Sequence, residues 1–253
     1  KVKVLADGLL VDDDQTLESA GLLHAESEVT AIYCRNEVEA AKKEAIHPEG
    51  LLQVNIPCSL TEISAGAFGN CNQMVKVAIP ESVTAIREYA FASCNSLASA
   101  TIPPSVTKIG NGAFLKCTSL ASITLAESVT VIGDCAFEDC VSLASIAIPT
   151  SVRTIARSTF VGCTSMTVVI IPNSVEVILD YAFAYCSSLA SVTIPESVTA
   201  IGDYAFAHCS SLASITIPES VTAIGRSAFA DCKSLASITI PDSVTAIADS
   251  AFR

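Results

Sequence analysis

From residue 51 onward, apolar and polar positions follow one pattern that returns every 23 residues. Between Leu212 and Ile217 the apolar Leu212, Ile215 and Ile217 flank the polar Ser214 and Thr216. Alternation of this kind predicts a strand with one buried face. Pro218 ends it, because proline cannot donate to a strand ladder. A second extended piece, Val221 to Ile224, turns two more apolar side chains inward. Before the strand, at about 100° per residue, Ala205, Phe206 and Cys209 fall on one side and Tyr204 and His208 on the other, which predicts a helical turn. Each unit therefore reads as strand, short extended segment and helical turn.

All nine phenylalanines, Phe68, Phe91, Phe114, Phe137, Phe160, Phe183, Phe206, Phe229 and Phe252, stand 23 residues apart. A fixed period of this length is the mark of a solenoid, in which each unit contacts only its neighbours and buries its apolar faces by stacking. One unit alone lacks the core to offset the ordering of its own backbone. The chain is thus expected to form one repeat domain over residues 51–253, preceded by an atypical flank over residues 1–50. In that flank the segment VTAI (Val29 to Ile32) and the strand LLQVNIP are 22 residues apart, where later units have 14. The extra residues are rich in helix formers, so Tyr33 to Ile46 is expected as a longer helix, with residues 1–28 capping the solenoid.

The L-x-x-L-x-L strand, its I-P ending, the V-T-x-I segment and G-D-x-A-F-x-x-C together resemble the 23-residue leucine-rich repeats of the BspA-like type, found in bacterial surface proteins and in microbial eukaryotes. The resemblance covers residues 51–253. It implies an α/β solenoid, a right-handed leucine-rich-repeat superhelix with one parallel β-sheet. It further implies a non-enzymatic role in binding proteins, as an adhesin or scaffold, with no catalytic residue to carry over. A cell-surface or secreted setting follows from it, although unpaired cysteines suit an intracellular one equally. Glycine after V-T-x-I occurs as Gly110, Gly133, Gly202 and Gly225, but Arg87, Leu179 and Ala248 fill the same place, so that turn cannot demand a positive φ.

Composition narrows the choice of partner. A formal net charge of −12 opposes phosphate backbones and anionic lipid surfaces. No apolar run reaches the roughly 20 residues of a membrane helix, so no membrane insertion is expected. The first twenty residues lack signal-peptide order, though a start at Lys1 leaves a removed leader open. The chain stops just after Phe252, in mid-unit, with Leu235, Ile238, Ile240, Val244 and Ile247 at an apolar edge, so further repeats or a partner are expected to cover it.

Eight of the eleven cysteines, Cys71, Cys94, Cys117, Cys140, Cys163, Cys186, Cys209 and Cys232, lie three residues after a phenylalanine. That shared register marks a packing column of buried thiols rather than a disulfide framework. Cys34, Cys58 and Cys135 lie off the column and are the candidates for reactivity. Neither cysteines nor histidines have metal-ligand spacing, and Asp12 to Asp14 lack the alternating ligands of a calcium loop, so no metal or cofactor is expected.

The outward positions carry the candidate contacts. Tyr181 and Tyr185 are four residues apart, and Tyr204 and His208 repeat them one unit later, forming a patch of four rings. The patch reads either as a contact site, since tyrosine concentrates binding energy, or as rings packing across units for stability. Val168 and Ile170 replace the Ser and Thr that other strands present outward. The serine column Ser99, Ser122, Ser145, Ser191, Ser214, Ser237 and its threonine neighbour give an alternative, a hydroxyl ladder that templates a glycan or ice. Arg153 with Glu176, and Arg157 with Asp180, are expected as ion pairs between successive units.

Overall fold

The computed structural model describes residues 4–6, 9–11 and 52–253. The helix expected from Tyr33 to Ile46, the segment VTAI and most of the expected cap lie outside the described residues. Of the flank, β1 (Val4–Ala6) and β2 (Leu9–Val11) are described, and they pair antiparallel.

From residue 52 the alternating stretches form strands as expected, except in the last unit, where residues 235–240 form none. One row consists of β3 (Leu52–Asn55), β5 (Met74–Ala78), β7 (Ser99–Thr101), β9 (Ser122–Thr124), β11 (Ser145–Ala147), β13 (Val168–Ile170), β15 (Ser191–Thr193) and β17 (Ser214–Thr216). Within the row, β3 to β9, β11 with β13, and β15 with β17 are hydrogen-bonded as parallel ladders; from Gln53 onward the paired residues are offset by one period, as in Ser191 against Ser214 and Thr193 against Thr216. The short extended segments do more than the sequence reading expected. They make a second parallel row, β4 (Glu62–Ile63), β6 (Ala85–Ile86), β8 (Lys108–Ile109), β10 (Val131–Ile132), β12 (Thr154–Ile155), β14 (Val177–Ile178), β16 (Ala200–Ile201), β18 (Ala223–Ile224) and β19 (Ala246–Ile247). The solenoid thus has a strand ladder on two sides.

The third side corrects the expected helical turns: no helix occurs among the described residues. Alternate amides there point in different directions. The N–H groups of Tyr181, Phe183 and Tyr185 donate to Asp203, Ala205 and Ala207 of the next coil at 2.7–2.8 Å. Those of Ala182, Ala184 and Cys186 donate three residues back, to Leu179, Tyr181 and Phe183. An α-helix would direct every amide inside its own coil, four residues back. The segment is instead a run of β-turns, and two positions in each coil take the left-handed conformation that such turns require.

Those two positions form columns along the solenoid. One holds Gly66, Tyr89, Gly112, Cys135, Ser158, Tyr181, Tyr204, Ser227 and Ser250, and the other Asn70, Ser93, Lys116, Asp139, Gly162, Tyr185, His208 and Asp231, all with φ between 51° and 71°. The positions after V-T-x-I are absent from this group, as expected. Glycine serves there for a different reason: a Cβ on Gly110 would lie 2.7 Å from the Arg87 carbonyl carbon, and one on Gly202 2.6 Å from the Asp180 amide.

The interior is the sum of the inward columns. Consecutive phenylalanine rings from Phe68 to Phe252 stack with centroids 5.2–5.6 Å apart and planes within 12° of parallel. Leu212, Ile215, Ile217, Val221 and Ile224 are all buried, as their spacing predicted. In the last coil Ile247 and Phe252 are exposed, and Leu235, Ile238, Ile240 and Val244 are partly buried.

The left-handed columns give a test with two signs. Ser93 holds φ 58°, so Ser93→Gly relieves backbone strain and should stabilise the fold by about 1 kcal/mol. Gly112 holds φ 59° and a Cβ there would run into the ring of Tyr89, so Gly112→Ala should destabilise by about 1–3 kcal/mol. Urea denaturation of both variants measures this, and equal shifts of one sign would contradict it.

Candidate contact surface on the turn side

The four rings singled out in the sequence sit on the left-handed positions, where the side chain leaves the coil on its outer side. They are arranged as two stacks. Tyr181 lies on Tyr204 with ring centroids 4.7 Å apart and planes 7° from parallel, and Tyr185 lies on His208 at 4.4 Å and 11°. Tyr181 and Tyr185 are 42% and 50% exposed, whereas Tyr204 and His208 are half-buried. The rings therefore do pack across coils, and two of them also offer area to solvent.

Charged groups frame both stacks. The Arg226 guanidinium lies 5.9 Å from the Tyr204 ring centroid and 3.4 Å from the Asp203 carboxylate. Nδ1 of His208 is 3.4 Å from Asp231, a pair that is ionic only when the imidazole is protonated. The two ion pairs expected between coils are present, Arg153 to Glu176 at 2.9 Å and Arg157 to Asp180 at 2.8 Å. All are solvent-exposed, so screening by water and salt leaves each a small contribution to stability.

Sequence reading missed a second duty of the acidic residue in G-D. Asn111, Asp134, Asp180 and Asp203 each accept, through Oδ1, the backbone N–H of the equivalent residue one coil later, at 2.7–3.0 Å. The signal was available: an acceptor recurs in that place, and the arginines that interrupt it, Arg157 and Arg226, still donate their amides to the preceding Asp. Arg226 itself was overlooked as a partner of Tyr204, because the two are not at equivalent positions.

Val168 and Ile170 point outward from β13, 51% and 61% exposed, on a different face from the tyrosines. The structure does not bring the two groups together. Outward side chains of the other strands are exposed as the serine and threonine columns require, as in β15 and β17. At Ala147, Val168 and Ile170 the hydroxyl rows are interrupted, and the templating alternative is not favoured.

The cysteine column is buried from Cys71 to Cys209, with Cys232 half-buried. Each Sγ from Cys94 to Cys232 donates to the carbonyl of the phenylalanine 26 residues earlier, at 3.1–3.2 Å. Burial pushes the Cys140, Cys163, Cys186 and Cys209 thiols far up, and Cys232 up to about 11. Cys135, a candidate for reactivity, is pushed up to about 12 by burial and then by Glu138, which makes it a poor nucleophile. Cys58 is exposed, and Cys34 lies outside the described residues. Among the described residues no cluster of His, Cys, Asp or Glu could hold a metal ion, and no helix is long and apolar enough to cross a membrane.

Two ladders of parallel strands joined by stacked turns, with one buried leucine-rich column per strand, define a solenoid of the leucine-rich-repeat class. The model of the BspA type leucine rich repeat region matches residues 42–167 and 130–253, and the chain belongs to that family. A leucine rich cell surface protein from Faecalibacterium prausnitzii A2-165 is similar at 33% identity and TM-score 0.50, over 76% of this chain and 60% of the other. A leucine-rich repeat protein from Bacteroides ovatus ATCC 8483 is similar at 25% identity and TM-score 0.60, over 79% of this chain and 63% of the other. The chain therefore spans about three fifths of the length of these two relatives. No curated protein matches it.

Thiol labelling tests the packing account. In the folded protein, Cys117, Cys140, Cys163, Cys186 and Cys209 should resist a disulfide reagent at pH 8 while Cys58 reacts at once, and all should react in guanidinium. Rapid labelling of the column without denaturant would contradict the burial.

Proposed function

We propose that the chain is a non-enzymatic protein-binding module, an adhesin or scaffold, whose contact surface is the turn side around Tyr181, Tyr185, Tyr204 and His208. Val168 and Ile170 add a smaller apolar contact on the sheet face. The observation that carries this reading is the exposure of Tyr181 and Tyr185 on a rigid, stacked base. Large amphipathic rings held in place before binding lose little freedom when a partner covers them, and tyrosine is enriched where interfaces concentrate their energy. Family membership supports a binding role, and a cell-surface setting of the kind named for the F. prausnitzii protein suits an adhesin. The net charge of −12 favours a protein partner over nucleic acid.

The left-handed columns make the test clean. Ser158, Ser227 and Ser250 occupy the same column as the tyrosines, so Tyr181→Ser with Tyr204→Ser substitutes a residue the backbone already accepts there. Losing one stacked pair costs about 0.5–1.5 kcal/mol, a fall of a few degrees in melting temperature. Partners that co-purify with the wild-type chain from its source, identified by mass spectrometry, should be lost from the double variant. Unchanged capture with a large fall in melting temperature would show that the rings serve stability alone.

A further inference from the structure

Both strand rows lapse at one junction. The first row is interrupted between β9 and β11 and the second between β10 and β12, so neither ladder joins these two coils. The first row lapses again between β13 and β15, but there β14 and β16 stay paired. Among the described residues, no other junction loses both. Around it the second row is regular: Thr130 and Glu176 donate their amides to Thr107 and Arg153, and Gly133 and Leu179 donate theirs to Ile109 and Ile155, at 2.8–3.0 Å. At the junction itself the corresponding amides, those of Arg153 and Ala156, make no such bond to Thr130 and Ile132. The Ala144 amide reaches Ala121 at 3.3 Å, where its counterparts Ala121 and Thr167 bond one coil back at 2.9 Å. Phe137 and Phe160, the rings that meet here, are the most widely spaced of the stack at 5.6 Å.

The turn side, by contrast, stays fully bonded. The amides of Cys135, Phe137 and Asp139 reach the carbonyls of Arg157, Thr159 and Val161 at 2.7–2.9 Å, and Asp134 accepts the Arg157 amide at 3.0 Å. At the corner between the two rows, side chains stand in for the missing ladders. Oε2 of Glu127 accepts both the N–H and the hydroxyl of Thr150, at 2.8 and 2.7 Å, and the Glu127 carbonyl accepts the Ser151 hydroxyl at 2.7 Å. Elsewhere that serine bonds a valine carbonyl 22 residues back, as Ser128 does to Val106 and Ser174 to Val152. The sequence departs from its repeat at the same place. The Ile-Pro pair found in every other unit, from Ile56-Pro57 to Ile240-Pro241, is here Leu125-Ala126, and no other unit has a hydroxyl residue at the position of Thr150. Leu125 is only half-buried, whereas Ile102 and Ile148 in its column are buried.

We propose that this junction is a hinge: the solenoid bends there as two blocks, residues 52–139 and 143–253, with the bonded turn side as the axis and Glu127 as a strap across the opposite corner. Local opening follows the bonds that must be broken, so motion concentrates where two ladders are absent and one side remains tied. The strap sits where opening is widest, since it lies between the two rows and away from the axis. Val168, Ile170, Tyr181, Tyr185, Tyr204 and His208 all belong to the second block. Bending therefore turns them together, as one body, against the first block.

Lys108, Thr154, Ala200 and Ala246 hold the same place in β8, β12, β16 and β19. Nitroxides carried on unnatural amino acids, which leave the native cysteines untouched, give two label pairs in the 253-residue chain. Lys108 with Ala200 spans the junction, and Thr154 with Ala246 lies within the second block. Each pair is four coils apart, about 19 Å at the usual strand spacing. Double electron–electron resonance should find the spanning pair at least 1.5 times as broadly distributed as the pair within the block. Glu127→Ala should broaden the spanning pair further and leave the other unchanged, which also shows that the variant is folded. Equal widths for the two pairs would overturn the hinge, and a spanning pair indifferent to Glu127→Ala would overturn the strap.

Discussion

Every coil of this protein completes the hydrogen bonding of the next. On the turn side the amides of Tyr181, Phe183 and Tyr185 find their acceptors one period later, and those of Tyr204, Phe206 and His208 repeat the arrangement on Arg226, Ala228 and Ala230. A buried amide without an acceptor costs about as much as a lost hydrogen bond, so a coil cannot take this shape before its neighbour is in place. The strict period follows directly. An inserted or deleted residue would displace the donors from their acceptors on this side and break two strand ladders at once.

The same coupling accounts for features that look costly in isolation. Among the described residues, fourteen non-glycine positions hold a left-handed backbone, a conformation that persists only where the surroundings over-determine it. Amides fixed from both sides do so here. Once the backbone is held, its two left-handed columns become outward positions whose identity is almost free: tyrosine, serine, lysine, aspartate, cysteine and glycine all occur there. Inward columns have no such freedom, since ring must meet ring and thiol must meet carbonyl in every coil. Variation, and with it recognition, is displaced to the outer letters of the turns and to the sheet face.

This division explains what could be read from the chain alone. Inward columns are copied, so their period exposed the strands, the phenylalanine stack and the buried thiols, and opposite charges one period apart exposed the Arg153 and Arg157 pairs. The turn conformation was not legible. Outward residues four apart, such as Tyr204 and His208, fit one face of a helix as well as two left-handed turn positions, and only the direction of the alternate amides separates the two. The aspartate bond to the next coil's amide hid behind the same ambiguity, because a solvated acidic residue on a helical turn needs no partner. The ring patch was visible as spacing, but its stacking and its Arg226 neighbour depend on which coil face each ring covers. That is a three-dimensional property of adjacent letters, and no single column reveals it.

If the turn side is locked by bonds between coils, its amides should be as hard to open as those of the strands, even where the side chains are exposed. Native-state hydrogen exchange, resolved by residue, tests this most directly. The amides of Tyr204, Phe206 and His208 should exchange within about tenfold of the rate of Ile215 in β17 and respond to urea in the same way. Exchange of those three amides at rates near those of open loops, while Ile215 stays protected, would contradict the account.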